Sequence, residues 1–127
     1  MFTRFSISDQ KGFTLIELIS VLVILGVMAS VVVKKFDVLS GTASQRAILE
    51  GVKELNGSET LVWTNIKLSD AGWTSDADVF TGIDKNLGGD YVWAVGPNTS
   101  SGTLSFNSES NVLIRKASTT SSWGRWY

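Results

Sequence analysis

The sequence predicts an α+β fold, in which a long N-terminal α-helix is followed by a small antiparallel β-meander head. Three observations lead to this prediction. Residues 13–33 form an apolar run with one charge, Glu17; residues 36–55 have the apolar spacing of an amphipathic helix; and from residue 90 the hydrophobic period changes to two. The amphipathic half of the helix is expected to form part of the core of the head.

The apolar run is long enough to cross a membrane. Its 21 residues, 13–33, would span about 31 Å as a helix, close to the roughly 30 Å hydrocarbon core of a bilayer. Lys34 and Lys35 follow it and are expected to lie at the membrane surface. We therefore predict a polar leader (residues 1–12), a membrane-spanning helix and a soluble head (residues 34–127).

The second half of the helix is expected to present an apolar face built at three- and four-residue spacing by Ile48, Val52 and Leu55. Gly51 lies within this pattern and weakens the helix by up to about 1 kcal/mol relative to Ala. The pair Asn56-Gly57 is a stop signal, so the helix is predicted to end there. A separate shorter helix is predicted over residues 58–68.

The rest of the head is predicted to contain one short helix and three strands. Ser75 followed by Asp78 has the form of a capping box and predicts a helix start. The strands are expected in three β-branched and aromatic segments joined by short turn-like links, at residues 90–95, 103–107 and 111–116. Short links between adjacent strands predict an antiparallel meander.

Composition excludes most kinds of catalytic site. The chain has no Cys and no His, which removes disulfides, thiolate nucleophiles, Ser-His-Asp triads and nearly every zinc site. No convergent acid-base constellation is visible, so an enzyme is the least expected class, and no cofactor or metal is predicted. Without a disulfide, the head must be held by packing alone or by an ion.

The charge balance gives no general case for nucleic-acid binding. Lys and Arg number 11 against 12 Asp and Glu, so a nucleic-acid partner would need a local basic patch. Arg115-Lys116 is a weak basic patch that could contact DNA if a filament serves uptake, but two residues do not establish such a role.

Two other sets of residues have a structural interpretation. The aspartates match no known calcium loop, so Asp76 and Asp78 are better explained as acids favoured at a helix N-terminus. Most of the five tryptophans are expected to stiffen the core of the head. The exception is the C-terminal aromatic segment, residues 123–127, which is expected either to pack on the sheet or to lie between subunits.

Glu17 is the anomaly of the apolar run. A carboxylate near the centre of a membrane helix costs at least about 2.5–3.5 kcal/mol, which makes it a functional candidate whose partner has to be found. If the chain were cut after Gly12, Phe13 would expose a new α-amino group about one helical turn from Glu17. A neighbouring subunit shifted along the helix axis could bring its own amine to this carboxylate, and the pair would then fix the stagger between helices.

Residues 11–33 read KGFTLIELISVLVILGVMASVVV and resemble the class III leader and N-terminal helix of type IV pilins and type II secretion pseudopilins. The similarity covers about residues 11–35, and the order of elements behind it agrees with a pilin-like head. The resemblance implies cleavage after Gly12 by a prepilin peptidase and N-methylation of Phe13. Glu17 matches the family's acidic residue, and Gly26 falls where the family often has a glycine at which the helix loosens on assembly.

The resemblance further implies storage in the bacterial inner membrane and assembly, by an assembly platform and its ATPase, into a homo-oligomeric extracellular filament. The filament could serve adhesion, motility or DNA uptake. A type II secretion pseudopilin and a single-pass membrane-anchored binding module remain alternatives. So does an ordinary secretory signal cut after Ala29, although such a signal seldom carries a glutamate.

Overall fold

The computed structural model describes residues 12–127, and residues 1–11 of the predicted leader lie outside the described residues. The chain divides into two compact units, with the boundary between Val38 and Leu39. Helix α1, Leu15–Leu68, has 54 residues and contributes to both units. The architecture is α+β and pilin-like, as predicted: a long apolar N-terminal helix and a small antiparallel sheet.

In the first unit, the apolar side chains of α1 are exposed. An 18-residue window of this helix has a mean hydropathy of 2.7 and none of it is buried, so α1 is long and apolar enough to cross a membrane. The two serine hydroxyl groups in the run are satisfied within the helix. Ser20 Oγ donates to the Ile16 carbonyl at 2.7 Å and Ser30 Oγ donates to the Val27 carbonyl at 2.8 Å.

The predicted helix stop at Asn56-Gly57 is wrong, because α1 continues without a break to Leu68. The side chain of Asn56 does not hydrogen-bond the neighbouring backbone, as the side chain of a residue that ends a helix often does. Its amide instead contacts the backbone of Trp126, 70 residues along the chain. A tertiary contact therefore overrides the local signal, and the two predicted helices are one.

The short helix α2, Asp76–Gly82, begins at the predicted capping box. Ser75 is the N-cap residue; its Oγ accepts a hydrogen bond from the Asp78 backbone N–H and donates one to Asp78 Oδ2 at 2.8 Å. Val79 is fully buried in this helix. The box orients α2 so that its apolar face meets the core.

The sheet has four antiparallel strands in the order β1-β2-β3-β4. Their bounds are β1 Tyr91–Val95, β2 Ser101–Phe106, β3 Glu109–Lys116 and β4 Arg125–Trp126. The predicted three-stranded meander is confirmed. The sequence did not predict β4, since two residues are too short to show a period.

The core of the head lies between α1 and one face of the sheet. The buried residues of α1 are spaced by three or four positions, and they are Ser44, Ile48, Gly51, Leu55 and Glu59. The sheet and the C-terminal strand contribute Leu104, Leu113 and Trp126. A Cβ atom on Gly51 would lie 2.9 Å from Tyr91 Cε1 and 3.2 Å from Leu104 Cδ2. Gly51 therefore permits the close approach of helix and sheet, which corrects its interpretation as a weak point.

Candidate functional site

The predicted cleavage site immediately precedes α1. Gly12 and Phe13 lie outside regular secondary structure, and both are exposed, Phe13 at 83%. A Cβ atom on Gly12 would meet no described atom within 4 Å. The peptide bond between the two residues is therefore sterically open on the described side.

Thr14 and Glu17 form a capping box at the start of α1. Glu17 Oε2 accepts hydrogen bonds from the Thr14 backbone N–H at 2.8 Å and from Thr14 Oγ1 at 3.0 Å. In return, the Glu17 backbone N–H donates to Thr14 Oγ1 at 3.3 Å. These reciprocal bonds satisfy two of the N–H groups that every helix start leaves without an intrahelical partner.

The sequence contains the signal for this cap, although the cap was not among the predictions. Thr14-Leu15-Ile16-Glu17 has the capping-box pattern, the same one that identified the start of α2. The carboxylate of Glu17 thus has a partner within its own chain, one residue from Phe13. Its predicted partner, the amine of a neighbouring subunit, stays a prediction.

Gly26 lies in the middle of the exposed apolar part of α1. A Cβ atom there would meet no described atom within 4 Å, so packing within the described chain gives no reason for a glycine. A glycine in a helix interior costs about 1 kcal/mol relative to Ala. The role of Gly26 in assembly stays a prediction.

In the second unit, a buried ionic cluster joins α1, α2 and β3 through Glu59, Asp76 and Arg115. The guanidinium of Arg115 donates from Nε and Nη2 to Glu59, and from Nη1 and Nη2 to Asp76 at 2.7 and 2.9 Å. Its remaining Nη1 donor reaches the Thr99 carbonyl at 3.1 Å. All five guanidinium donors are therefore satisfied, as a buried charge requires.

The two carboxylates of this cluster, on Glu59 and Asp76, have further partners. Trp126 Nε1 donates to Glu59 Oε1 at 3.0 Å, and both the backbone N–H and the hydroxyl of Ser118 donate to Asp76 Oδ1 at 2.7 Å. Among residues 12–127, no buried side-chain nitrogen or oxygen lacks a hydrogen-bond partner. The head thus combines apolar packing with a buried ionic network of its own side chains.

The cluster shifts the pKa values of Asp76 and Arg115. Burial alone would raise the pKa of Asp76, but the hydrogen bonds from Arg115 and Ser118 outweigh it and lower that pKa below its ordinary value. Burial alone would lower the pKa of Arg115, but hydrogen bonds to Asp76 and Glu59 raise it. Both groups are therefore held in their charged forms.

The cluster extends one prediction and corrects another. Asp76 and Asp78 both lie in the first turn of α2, as predicted, and the carboxylate of Asp76 also pairs with Arg115. Arg115 and Lys116 do not form one basic patch, because successive residues of a strand point to opposite faces. Arg115 is buried, whereas Lys116 is exposed.

Two of the five tryptophans, Trp93 and Trp126, lie in or against the core. Trp126 is 1% exposed and its ring centroid lies 5.7 Å from that of Trp93, which packs against the core. The C-terminal segment packs on the sheet through Trp126, while Trp123 is 43% exposed and meets Trp63 edge to face at 6.2 Å. In residues 12–127, no three acidic side chains converge to form a group that could hold a metal ion.

The model of the prokaryotic N-terminal methylation motif matches residues 7–33. No curated protein and no solved structure matches the chain significantly. The motif supports a prepilin-type structural subunit, and the long apolar helix with a small antiparallel sheet is consistent with a type IV pilin-like protein.

Proposed function

We propose that this chain is a structural subunit of a type IV pilus-like filament, cleaved after Gly12 by a prepilin peptidase and N-methylated at Phe13. The observation that carries the proposal is the match of the methylation motif to residues 7–33, which include the first turns of the exposed apolar helix. Before assembly, the apolar segment at residues 13–33 anchors the subunit in the bacterial inner membrane.

The exposed apolar surface supports polymerisation through the helix. Side chains such as Leu15 (76% exposed) and Leu22 (67% exposed) have no cover within the described chain. Lipid covers them before assembly, and the helices of neighbouring subunits cover them in the filament. Burial of apolar surface contributes about 25 cal/mol per Å², so this exchange keeps the subunits together outside the membrane.

Glu17 fixes the stagger between subunits in this proposal. On extraction from lipid, its carboxylate exchanges the capping bond to the Thr14 N–H for the amine of a neighbouring, cleaved Phe13. Each buried pair of this kind resists separation because breaking it strands a charge at low dielectric. Gly26, which has no packing role within the described chain, gives the helix the freedom to adjust on assembly.

The test is the intact mass and N-terminal residue of the protein purified from membranes of its native host. A chain that begins at singly methylated Phe13 supports the proposal. A start at Ser30 would identify an ordinary secretory signal, and a retained Met1 in a host with an active peptidase would identify an uncleaved anchor; either result contradicts the proposal. Recovery of the processed subunit in filaments sheared from cells distinguishes a surface pilus from a periplasmic pseudopilus.

A further inference from the structure

A cavity of about 370 Å³ opens on the head beside the C-terminal strand. Its lining consists of two cations, two hydroxyl groups and one indole: Lys116, Arg125, Ser121, Ser122 and Trp123. This volume lies within the roughly 300–1,000 Å³ of small-molecule sites, and the lining contains no acidic residue.

The two cations are direct cross-strand neighbours on one face of the sheet. Lys116 of β3 and Arg125 of β4 are register partners, on the face opposite the buried Arg115 and Trp126. Like charges in this position destabilise a sheet. Neither side chain has an ion-pair partner among residues 12–127, so the head retains an unfavourable pair that a bound anion would relieve.

One wall of the cavity is anchored to α1 through its backbone. The loop that carries Ser121 and Ser122 is tied to α1 by two hydrogen bonds, from Trp63 Nε1 to the Thr119 carbonyl at 2.8 Å and from Lys67 Nζ to the Thr120 carbonyl at 2.5 Å. A preformed site loses little conformational entropy on binding.

The chemistry of the lining selects the ligand. Lys and Arg side chains only donate hydrogen bonds, and without a carboxylate or amide the cavity offers few acceptors for the many hydroxyl groups of a polysaccharide. A phosphodiester has acceptors only, and therefore fits. The exposed indole of Trp123 adds a flat apolar surface on which a base can stack.

We propose that this cavity binds a nucleotide unit of a single-stranded nucleic acid, with a phosphate between Lys116 and Arg125 and a base stacked on Trp123. The serine hydroxyls donate to the remaining phosphate oxygens. The site lies entirely in the head, so it stands whether or not the chain is processed and polymerised, and its failure would leave the proposed filament role untouched.

The experiment measures fluorescence anisotropy of labelled oligo(dT) with the full chain in uncharged detergent micelles, over a range of salt concentrations. For single strands, each phosphate contact contributes a slope of about −0.7 to log K against log salt. We expect Lys116→Gln and Arg125→Gln each to reduce the slope by about 0.7, and Trp123→Ala to weaken binding about tenfold at unchanged slope. Lys53→Gln, which removes a cation elsewhere on the head, should leave both quantities unchanged.

Two further readouts separate binding from folding. Trp123→Phe keeps an aromatic ring at this position and should bind oligo(dT) nearly as the native chain does. That result would exclude loss of structure as the cause of the Trp123→Ala effect. Lys116→Gln removes the like-charge pair and should raise Tm by about 1–3 °C while weakening binding. If Lys116 served only to stabilise the head, Lys116→Gln would lower Tm instead.

Three outcomes would overturn the proposal. Inorganic polyphosphate or a sulfated polysaccharide that binds as tightly as oligo(dT) would show a general polyanion site. Duplex DNA that binds as tightly, with no effect of Trp123→Ala, would show contact with backbone phosphate alone. Equal affinity of the native chain and of the Lys116, Arg125 and Trp123 variants would place any binding elsewhere.

Discussion

The side-chain amide of Asn56 pairs with both backbone polar groups of Trp126, donating to its carbonyl at 3.0 Å and accepting from its N–H at 2.7 Å. A helix side chain thus takes the place of a neighbouring strand for Trp126, whose indole closes the core. The arrangement explains how a strand of two residues, β4, can bury an indole almost completely.

Replacement of Asn56 should loosen this closure. Asn56→Ala leaves the N–H and carbonyl of Trp126 without partners in a half-buried place, and we expect the free energy of unfolding to fall by about 2 kcal/mol. Urea unfolding of the full chain in detergent micelles, followed by tryptophan fluorescence, measures this change in the free energy of unfolding. Asn65→Ala is the matched control, because Asn65 is exposed on the same helix and no side-chain hydrogen bond is found for it in the described part of the chain. Equal effects of both variants would contradict the role of the pairing.

Two glycines of α1 should respond in opposite ways to the same substitution. Gly51→Ala places a methyl group 2.9 Å from Tyr91 Cε1, and the resulting overpacking is expected to destabilise the head by about 1–3 kcal/mol despite a better helix propensity. Gly57→Ala meets no described atom within 4 Å and should stabilise it by about 0.5–1 kcal/mol. The same urea titration compares them, and a stabilising Gly51→Ala would show that helix and sheet do not pack this closely.

Removal of Arg115 should be the most damaging single change in the head. Arg115→Met leaves the buried carboxylate of Glu59 and the half-buried carboxylate of Asp76 without their cation, and such a loss costs about 3–5 kcal/mol. Lys116→Met, at the next position but exposed, should change the free energy of unfolding by less than about 0.5 kcal/mol. Urea unfolding followed by the near-UV circular dichroism of the tryptophans gives the unfolding midpoint of each variant. Similar midpoints for the two variants would mean that packing alone holds the head.

The depressed pKa of Asp76 gives the head a defined sensitivity to acid. A group with a lowered folded-state pKa stabilises the fold above its unfolded-state value of about 3.9, and this contribution is lost as the pH falls through the folded-state pKa. The free energy of unfolding should therefore fall below about pH 3.9, and Asp76→Asn should flatten this dependence while lowering stability at neutral pH. Asp90→Asn, an exposed control, should leave the acid dependence as it is. Parallel pH curves for Asp76→Asn and the native chain would contradict the assignment.

The sequence predicts the elements of this fold better than the contacts between them. The strands of the meander and the capping box at Ser75 are local patterns, and all were predictable. The continuation of α1 past Asn56 and the burial of Arg115 depend on partners 56 to 70 residues away in the chain, so no local window contains them. Asn and Arg are typical of surfaces and turns, and only the tertiary structure shows that the side chains of Asn56 and Arg115 have hydrogen-bond partners within the head.

At the start of α1, the sequence pattern is compatible with two roles for Glu17. Glu17 is unusual as an acid in an apolar run, and it is also the first-turn acid of a capping box with Thr14, three residues after the cap. A cap needs a hydrogen-bond acceptor, whereas a register contact with an amine needs a negative charge. The two roles can therefore be separated by substitution.

Glu17→Gln keeps the capping box, which accepts Gln, but removes the charge. Thr14→Val keeps the charge and the shape but removes the hydroxyl of the cap, at about 1 kcal/mol. If Glu17 fixes the register of the filament, Glu17→Gln should abolish filaments recovered by shearing, while Thr14→Val should leave them at near-native amounts. The membrane-bound amount of each variant, measured by immunoblot, controls for expression and insertion. The reverse pattern, with filaments lost in Thr14→Val and kept in Glu17→Gln, would show that Glu17 serves as a helix cap and that the stagger is set by apolar packing.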